Sequence, residues 1–235
     1  MTTRTGELVA RRRFLGAVVS AAGLVAAGCA TTKAASARRA EPGPGGDEAE
    51  VTPGEDLMQE HGVLERILLL YDEVVRRIEH PAAFDVATVA SAAGIVRRFV
   101  EDYHERLEER FVFPRLEAAG REAELVAILR HQHERGRQLT DDVVRRSRGH
   151  PTPELAHLLH AFTRMYRPHA AREDTVLFPA FRSVVGGDGY RELGEHFDAE
   201  EHARFGEHGF EQTVSEVAQL EAALGIADLA GFTPP

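Results

Sequence analysis

The run 104-HERLEERFVFP-114 returns 65 residues later as 169-HAAREDTVLFP-179, so the chain spells H-x3-E-(E/D)-x3-F-P twice. An ordinary repeated helix would recur in its apolar positions, whereas here the imidazole and carboxylate positions recur as well. A spacing of four puts the His and the first Glu on one face of a helix, where the pair can chelate one ion. A single pair of this kind is also a common surface ion pair. Two copies that end alike in Phe-Pro point to a shared chemical task.

The segments around the two copies read as helix. The first runs from about Glu55 to Glu79 and closes at His80-Pro81, because the residue before a proline avoids the helical region. Asp85 is the expected cap of a second helix that reaches about Ala119 and stops at Gly120. A third occupies roughly 121–148, and a fourth starts with Thr152 as cap and Pro153 in its first turn, ending at Val185 before "GGDG". Four long helices with tight connections predict an all-α, up-down-up-down four-helix bundle over 55–186. One or two further amphipathic helices are expected within 190–224, interrupted around Gly206 and Gly209, in a C-terminal extension, 187–235. Phe-Pro at 113–114 and 178–179 is expected to kink the second and fourth helices without ending them.

The amino terminus has a different character. "ARRRFLGAVVSAAGLVAAGCA" combines a basic segment, a short apolar run and a Cys, and its paired Arg11-Arg12 resembles a twin-arginine export signal. "VAAGC" resembles a bacterial lipobox with Cys29 as the acylated residue, although Ala26 replaces the usual Leu. Residues 1–29 are therefore expected to direct export, with a lipid anchor on the membrane of the cell envelope. Residues 30–54, through "EPGPGGDEAEVTPGE", are expected to be a flexible tether.

Composition narrows the chemistry. A formal charge of −10 argues against nucleic acid as a partner, and the single Cys excludes a disulfide framework or a multi-thiolate metal site. Twelve His call for an explanation. Positions along the helices supply one, at about 1.5 Å per residue. His61 lies 19 residues before His80 and His104 lies 19 after Asp85; His133 lies 15 before Arg148 and His169 lies 16 after Pro153. In an antiparallel bundle these four His stand at one level, together with Glu108 and Glu173. Leu57, Leu64, Leu68, Leu129, Val100, Met165 and Val176 share or flank their faces, which places the polar cluster in an apolar interior.

Buried imidazoles and carboxylates are costly unless something pairs them. A metal-free hydrogen-bond network is one solution and a metal centre is the other. Four imidazoles, two carboxylates and no thiolate suit iron or manganese, with zinc possible. The symmetric partition assigns one ion to His61 and His104 and the other to His133 and His169, with Glu108 and Glu173 bridging. Glu65, on the His61 face, is a candidate to support a ligand by hydrogen bonding. Tyr166, one turn before His169, either lines a small-molecule pocket or packs there. His80 and His150 precede prolines in turns, His157 and His160 lie off the His169 face, and His196, His202 and His208 form no consistent stripe.

Through "LMQEH", "YHERLEERFVFP", "HQHERGR" and "YRPHAAREDTVLFP" the chain resembles the hemerythrin-like, or HHE, family over about residues 55–185. The resemblance implies a four-helix bundle carrying two non-haem iron ions that bind or reduce a small diatomic ligand, oxygen or nitric oxide. The oxygen carriers of that family place H-x3-H on the third helix, but here Arg137 stands four residues after His133. They use H-x4-D on the fourth, and Asp174 does stand five after His169, while helical geometry favours Glu173, about 40° from the His. With four His rather than five, the chain departs from the carrier pattern. A di-iron oxidoreductase of peroxidase or ferroxidase type, or a metal-storage or handling protein, are the competing functions. The sequence identifies no partner protein.

Overall fold

The structure, a computed structural model, describes residues 51–234. The twin-arginine-like segment, Cys29 and the tether up to residue 50 lie outside the described residues. The described chain is all-α. Helix α1 is Pro53–Glu79, α2 runs over 87–118, α3 is Ala123–Arg146, α4 runs over 153–185, α5 is Gly187–Phe205 and α6 is Gly209–Leu224.

Local chemistry sets the helix ends. The Thr52 hydroxyl accepts the Glu55 N–H at 3.4 Å and the Glu55 carboxylate accepts the Thr52 N–H at 2.9 Å, a reciprocal cap that starts α1 two residues earlier than expected. Asp85 accepts the N–H of Ala87 at 2.9 Å, and Thr152 accepts that of Leu155 at 3.3 Å. Gly120, with φ at 63°, takes the left-handed conformation that lets the chain leave α2.

Pro114 and Pro179 do not end their helices. Each lacks an N–H, and its ring crowds the carbonyl four residues back. The helices pass them by widening: Glu108–Val112 and Glu173–Leu177 wind as π-helix. The N–H groups of Phe113 and Phe178 donate to the carbonyls of Glu108 and Glu173, five residues back. A longer π stretch, Val96–His104, leads into the first copy of the repeat. As expected, the Phe-Pro pairs leave their helices unbroken, but through a change in winding that the sequence reading did not foresee.

Pairings across the bundle establish antiparallel order. Along α2 and α3 the sequence rises on one side as it falls on the other: Glu101 with Thr140, Glu105 with Arg137, Glu109 with His133 and Glu117 with Arg130. The same holds for α1 and α4, through His61 with Asp174 and Asp72 with Arg167. Leu57, Leu64, Leu68, Phe99, Phe113, Phe162 and Phe178 fill the shared core.

Helices α5 and α6 cover the outer faces of α1 and α2. The Arg66 guanidinium forks onto the Glu221 carboxylate at 2.8 and 2.5 Å, and the ring of Phe205 lies 5.2 Å from that of Tyr103. Tyr190 pins the start of α1 by accepting the Gly54 N–H at 2.9 Å. A Cβ at position 54 would stand 2.4 Å from that hydroxyl, so only glycine allows the approach.

Candidate metal centre

Four helices each bring one His to the middle of the bundle: His61 from α1, His104 from α2, His133 from α3 and His169 from α4. Glu108 and Glu173 join them from the π turns of α2 and α4. All six are buried, none more than 4% exposed. The ring centroids of His61 and His104 are 4.6 Å apart, and those of His133 and His169 are 5.0 Å apart. His61, His104, Glu108 and Glu173 offer ligand atoms within 4.8 Å of one another, and so do His133, His169 and Glu173.

The imidazoles share one orientation. Each turns Nδ1 outward to a hydrogen-bond partner: His61 to Asp174 at 2.7 Å, His104 to Glu60 at 2.8 Å, His133 to Glu109 at 3.1 Å and His169 to Gln132 at 2.9 Å. Each Nε2 faces the two central carboxylates. The Nε2 atoms of His169 and His61 lie 3.1 and 3.3 Å from Glu173, and that of His133 lies 3.4 Å from Glu108. Those distances are close, but their directions are poor for hydrogen bonding. Both oxygens of Glu108, both of Glu173, and Nε2 of His104 and His133 have no aligned partner. Leaving a buried polar atom unsatisfied costs about 1–3 kcal/mol. Six such atoms converging on one volume form a donor set waiting for a cation, so the residues fit a metal centre.

Electrostatics agree with the geometry. Desolvation disfavours charge on His61, His104, His133, Glu108 and Glu173. In His61 the bond to Asp174 and the nearby Glu173 carboxylate overcome it and raise the imidazole to about 9. In His133 desolvation wins and lowers the ring to about 4. Burial also takes His104 well down, helped by the charge on His61. Glu108 is pushed well up by burial and by the neighbouring Glu173 charge. Burial pushes Glu173 the same way, but His169 and His61 hold it ionised. Cations bound by these groups would compete with their protons.

The structure explains the letters of the repeat. In the first copy Glu108 faces the centre, Glu109 accepts the Nδ1–H of His133, and Phe113 stacks on that same ring at 5.4 Å. In the second copy Glu173 faces the centre, Asp174 supports His61, and Phe178 stacks on His61 at 5.6 Å. Each copy therefore supplies a His and a Glu of its own and holds a His of another helix from two sides.

One expectation needs correction. Glu65 does not support a ligand: it pairs with Arg167 at 3.8 Å, and the carboxylate on His61 belongs to Asp174. Asp174, the alternative to Glu173 at the centre, instead occupies this outer position. The choice left open for Tyr166 is resolved as packing and hydrogen bonding. Its ring meets His169 edge-on at 5.4 Å, and its hydroxyl donates to Glu105 at 2.7 Å. Arg137 bonds Glu105 and Glu109, both at 2.7 Å. The sequence reading missed Glu60, Glu105, Glu109 and Gln132. A signal was present for all four, since each adjoins a central residue in sequence and so points about 100° away, toward a neighbouring helix. His157, His160, His202 and His208 are exposed, and His196 packs on Phe111 at the surface.

A family model described as the hemerythrin HHE cation binding domain matches residues 52–181. Uncharacterized proteins of Mycobacterium bovis and of two strains of Mycobacterium tuberculosis are each 45% identical over 238 residues, covering 96% of this chain and 91% of their own length. No solved structure matches the chain significantly.

Proposed function

Because this chain belongs to the hemerythrin HHE cation-binding family, we propose that its buried centre holds two iron ions and binds or reduces a small diatomic ligand, oxygen or nitric oxide. The observation that carries this reading is the set of six buried donor atoms with no aligned partner, the four carboxylate oxygens of Glu108 and Glu173 and the Nε2 atoms of His104 and His133. His61 and His104 would hold one ion, His133 and His169 the other, with Glu108 and Glu173 between them. A donor set of imidazole and carboxylate favours iron, ahead of manganese or zinc. Bound iron would supply a redox couple and an open position for the ligand.

The residues of the chain do the rest. The Nδ1 bonds fix each imidazole in the tautomer whose Nε2 lone pair points inward. The π turns project Glu108 and Glu173 between the two His pairs. The core around Leu57, Leu64 and Phe178 keeps bulk water away, which strengthens every interaction inside. Arg137, in the position where carriers of the family have a fifth His, serves Glu105 and Glu109 instead, and this supports consumption of the ligand over reversible storage.

The test adds air to the anaerobic iron-loaded protein and then removes the oxygen. Oxygen consumption with a spectrum that stays oxidised until reductant is added is expected. Full return of the reduced spectrum without reductant would make the protein a carrier.

Export follows from the Arg11-Arg12 and "VAAGC" motifs. The mature chain would be anchored in the cell envelope through a lipid on Cys29. Cys29→Ala should release processed protein to the soluble fraction, and its retention in the membrane would refute the anchor.

A further inference from the structure

The four imidazoles are supported by the same geometry but by unequal charge. The arrangement has an approximate twofold pattern that exchanges α1 with α3 and α2 with α4. His61 corresponds to His133, and their Nδ1 partners, Asp174 and Glu109, each follow the central Glu of a repeat. His104 corresponds to His169, and their partners, Glu60 and Gln132, each precede the His of the other helix in the pair. Glu60 is a carboxylate and Gln132 an amide, so the pattern breaks in charge at this point.

A second difference adds to it. Asp174 and Glu60 sit at 2.7 and 2.8 Å from their imidazoles, against 3.1 and 2.9 Å for Glu109 and Gln132. Glu109 is also bridged by two guanidiniums, Arg106 at 2.5 Å and Arg137 at 2.7 Å, which draw its charge away from His133. A carboxylate that accepts an imidazole N–H makes the opposite nitrogen a stronger donor, and a neutral amide does so less. His61 and His104 are supported by two carboxylates. His133 and His169 are supported by one carboxylate shared with two arginines, and by one amide.

We propose that the two halves of the centre are inequivalent: the half built on His61 and His104 takes its cation first and more tightly, and holds the more highly charged ion when the two differ. This rests on the dinuclear reading above. It makes Glu60 and Gln132 positioning residues that set the order of filling without touching an ion.

The test titrates the full chain, stripped by a chelator, anaerobically with cobalt(II) alone, followed by visible absorption and calorimetry. Two ions should bind in two resolved steps. His61→Ala should remove the tighter step and His169→Ala the weaker one. Gln132→Glu should tighten the weaker step about 10-fold and narrow the gap. The isosteric Glu60→Gln, checked for retained helical circular dichroism, should weaken the tighter step by a similar factor. Fewer than two ions would overturn the dinuclear reading and this inference with it. Two ions of equal affinity, or a Glu60→Gln effect confined to the weaker step, would overturn this inference alone.

Discussion

On α2 the first copy of the repeat sends Glu108 inward, lays Glu109 against His133 and stacks Phe113 on that ring; on α4 the second copy sends Glu173 inward, lays Asp174 against His61 and stacks Phe178 on it. The backbone device is common to both: a proline after the Phe, a π turn before it, and a Phe N–H that reaches the carbonyl of the inward Glu. The surroundings differ. Glu109 is gripped by Arg106 and Arg137, whereas the Asp174 side chain is 35% exposed at the α1–α4 seam. Shared winding with unequal charge shows that shape and electrostatics are set by different letters of the repeat.

The largest effects should treat the two copies alike. His104→Ala and His169→Ala should each lose at least one ion per chain by metal analysis, while His157→Ala and His202→Ala lose none. If only one copy were sensitive, the two would not serve a common centre. Next come the prolines, whose side chains are exposed and can be replaced at little packing cost. Pro114→Ala and Pro179→Ala each restore a backbone N–H and let the π turn tighten, which should weaken metal retention about 10-fold, in the range seen when residues supporting ligands are altered. Unchanged retention in both would mean that packing, not proline, sets the winding.

The spacing of His and Glu, read with helix lengths, picked out the six residues that the structure gathers, because level along a helix is a matter of counting. The residues missed at the Nδ1 positions depend on azimuth, on which neighbour each helix faces and how its turn is wound. Glu65 shows the limit: it shares a face with His61 at ideal α spacing, yet the interhelical seam brings Asp174 to the imidazole and leaves Glu65 to Arg167. The sequence also revealed that Arg137 stands where carriers have a His. That it grips Glu105 and Glu109 required the neighbouring helix.

A smaller effect probes a place where the copies differ outright. Three residues before its His, the second copy carries Tyr166 and the first carries Glu101. The Tyr166 hydroxyl passes over Gly136, where a Cβ would stand 1.9 Å away. Gly136→Ala should destabilise the fold by about 1–3 kcal/mol through overpacking, and Tyr166→Phe by a similar amount through the lost partner of Glu105. Thermal unfolding measures both, and no change in either would place the tyrosine outside the support of the centre.

The smallest effect lies away from the centre and serves as its contrast. Glu73 on α1 is held by Arg76 and then Arg77, which together outweigh its partial burial and lower its carboxyl from 4.5 to about 2. A carboxyl depressed in the folded state contributes stability above the unfolded value, and that contribution is lost as pH falls from about 4.5 toward 2. Glu73→Gln should therefore cost no more than about 1 kcal/mol at neutral pH and flatten the acid arm of the stability curve, leaving metal content unchanged.

The most direct measurement is iron content. The full chain is reconstituted anaerobically with ferrous iron, desalted and analysed for metal per chain alongside its visible spectrum before and after air. Two iron ions per chain, with a spectrum that changes on oxidation, are predicted. Less than about one ion per chain would contradict the dinuclear centre.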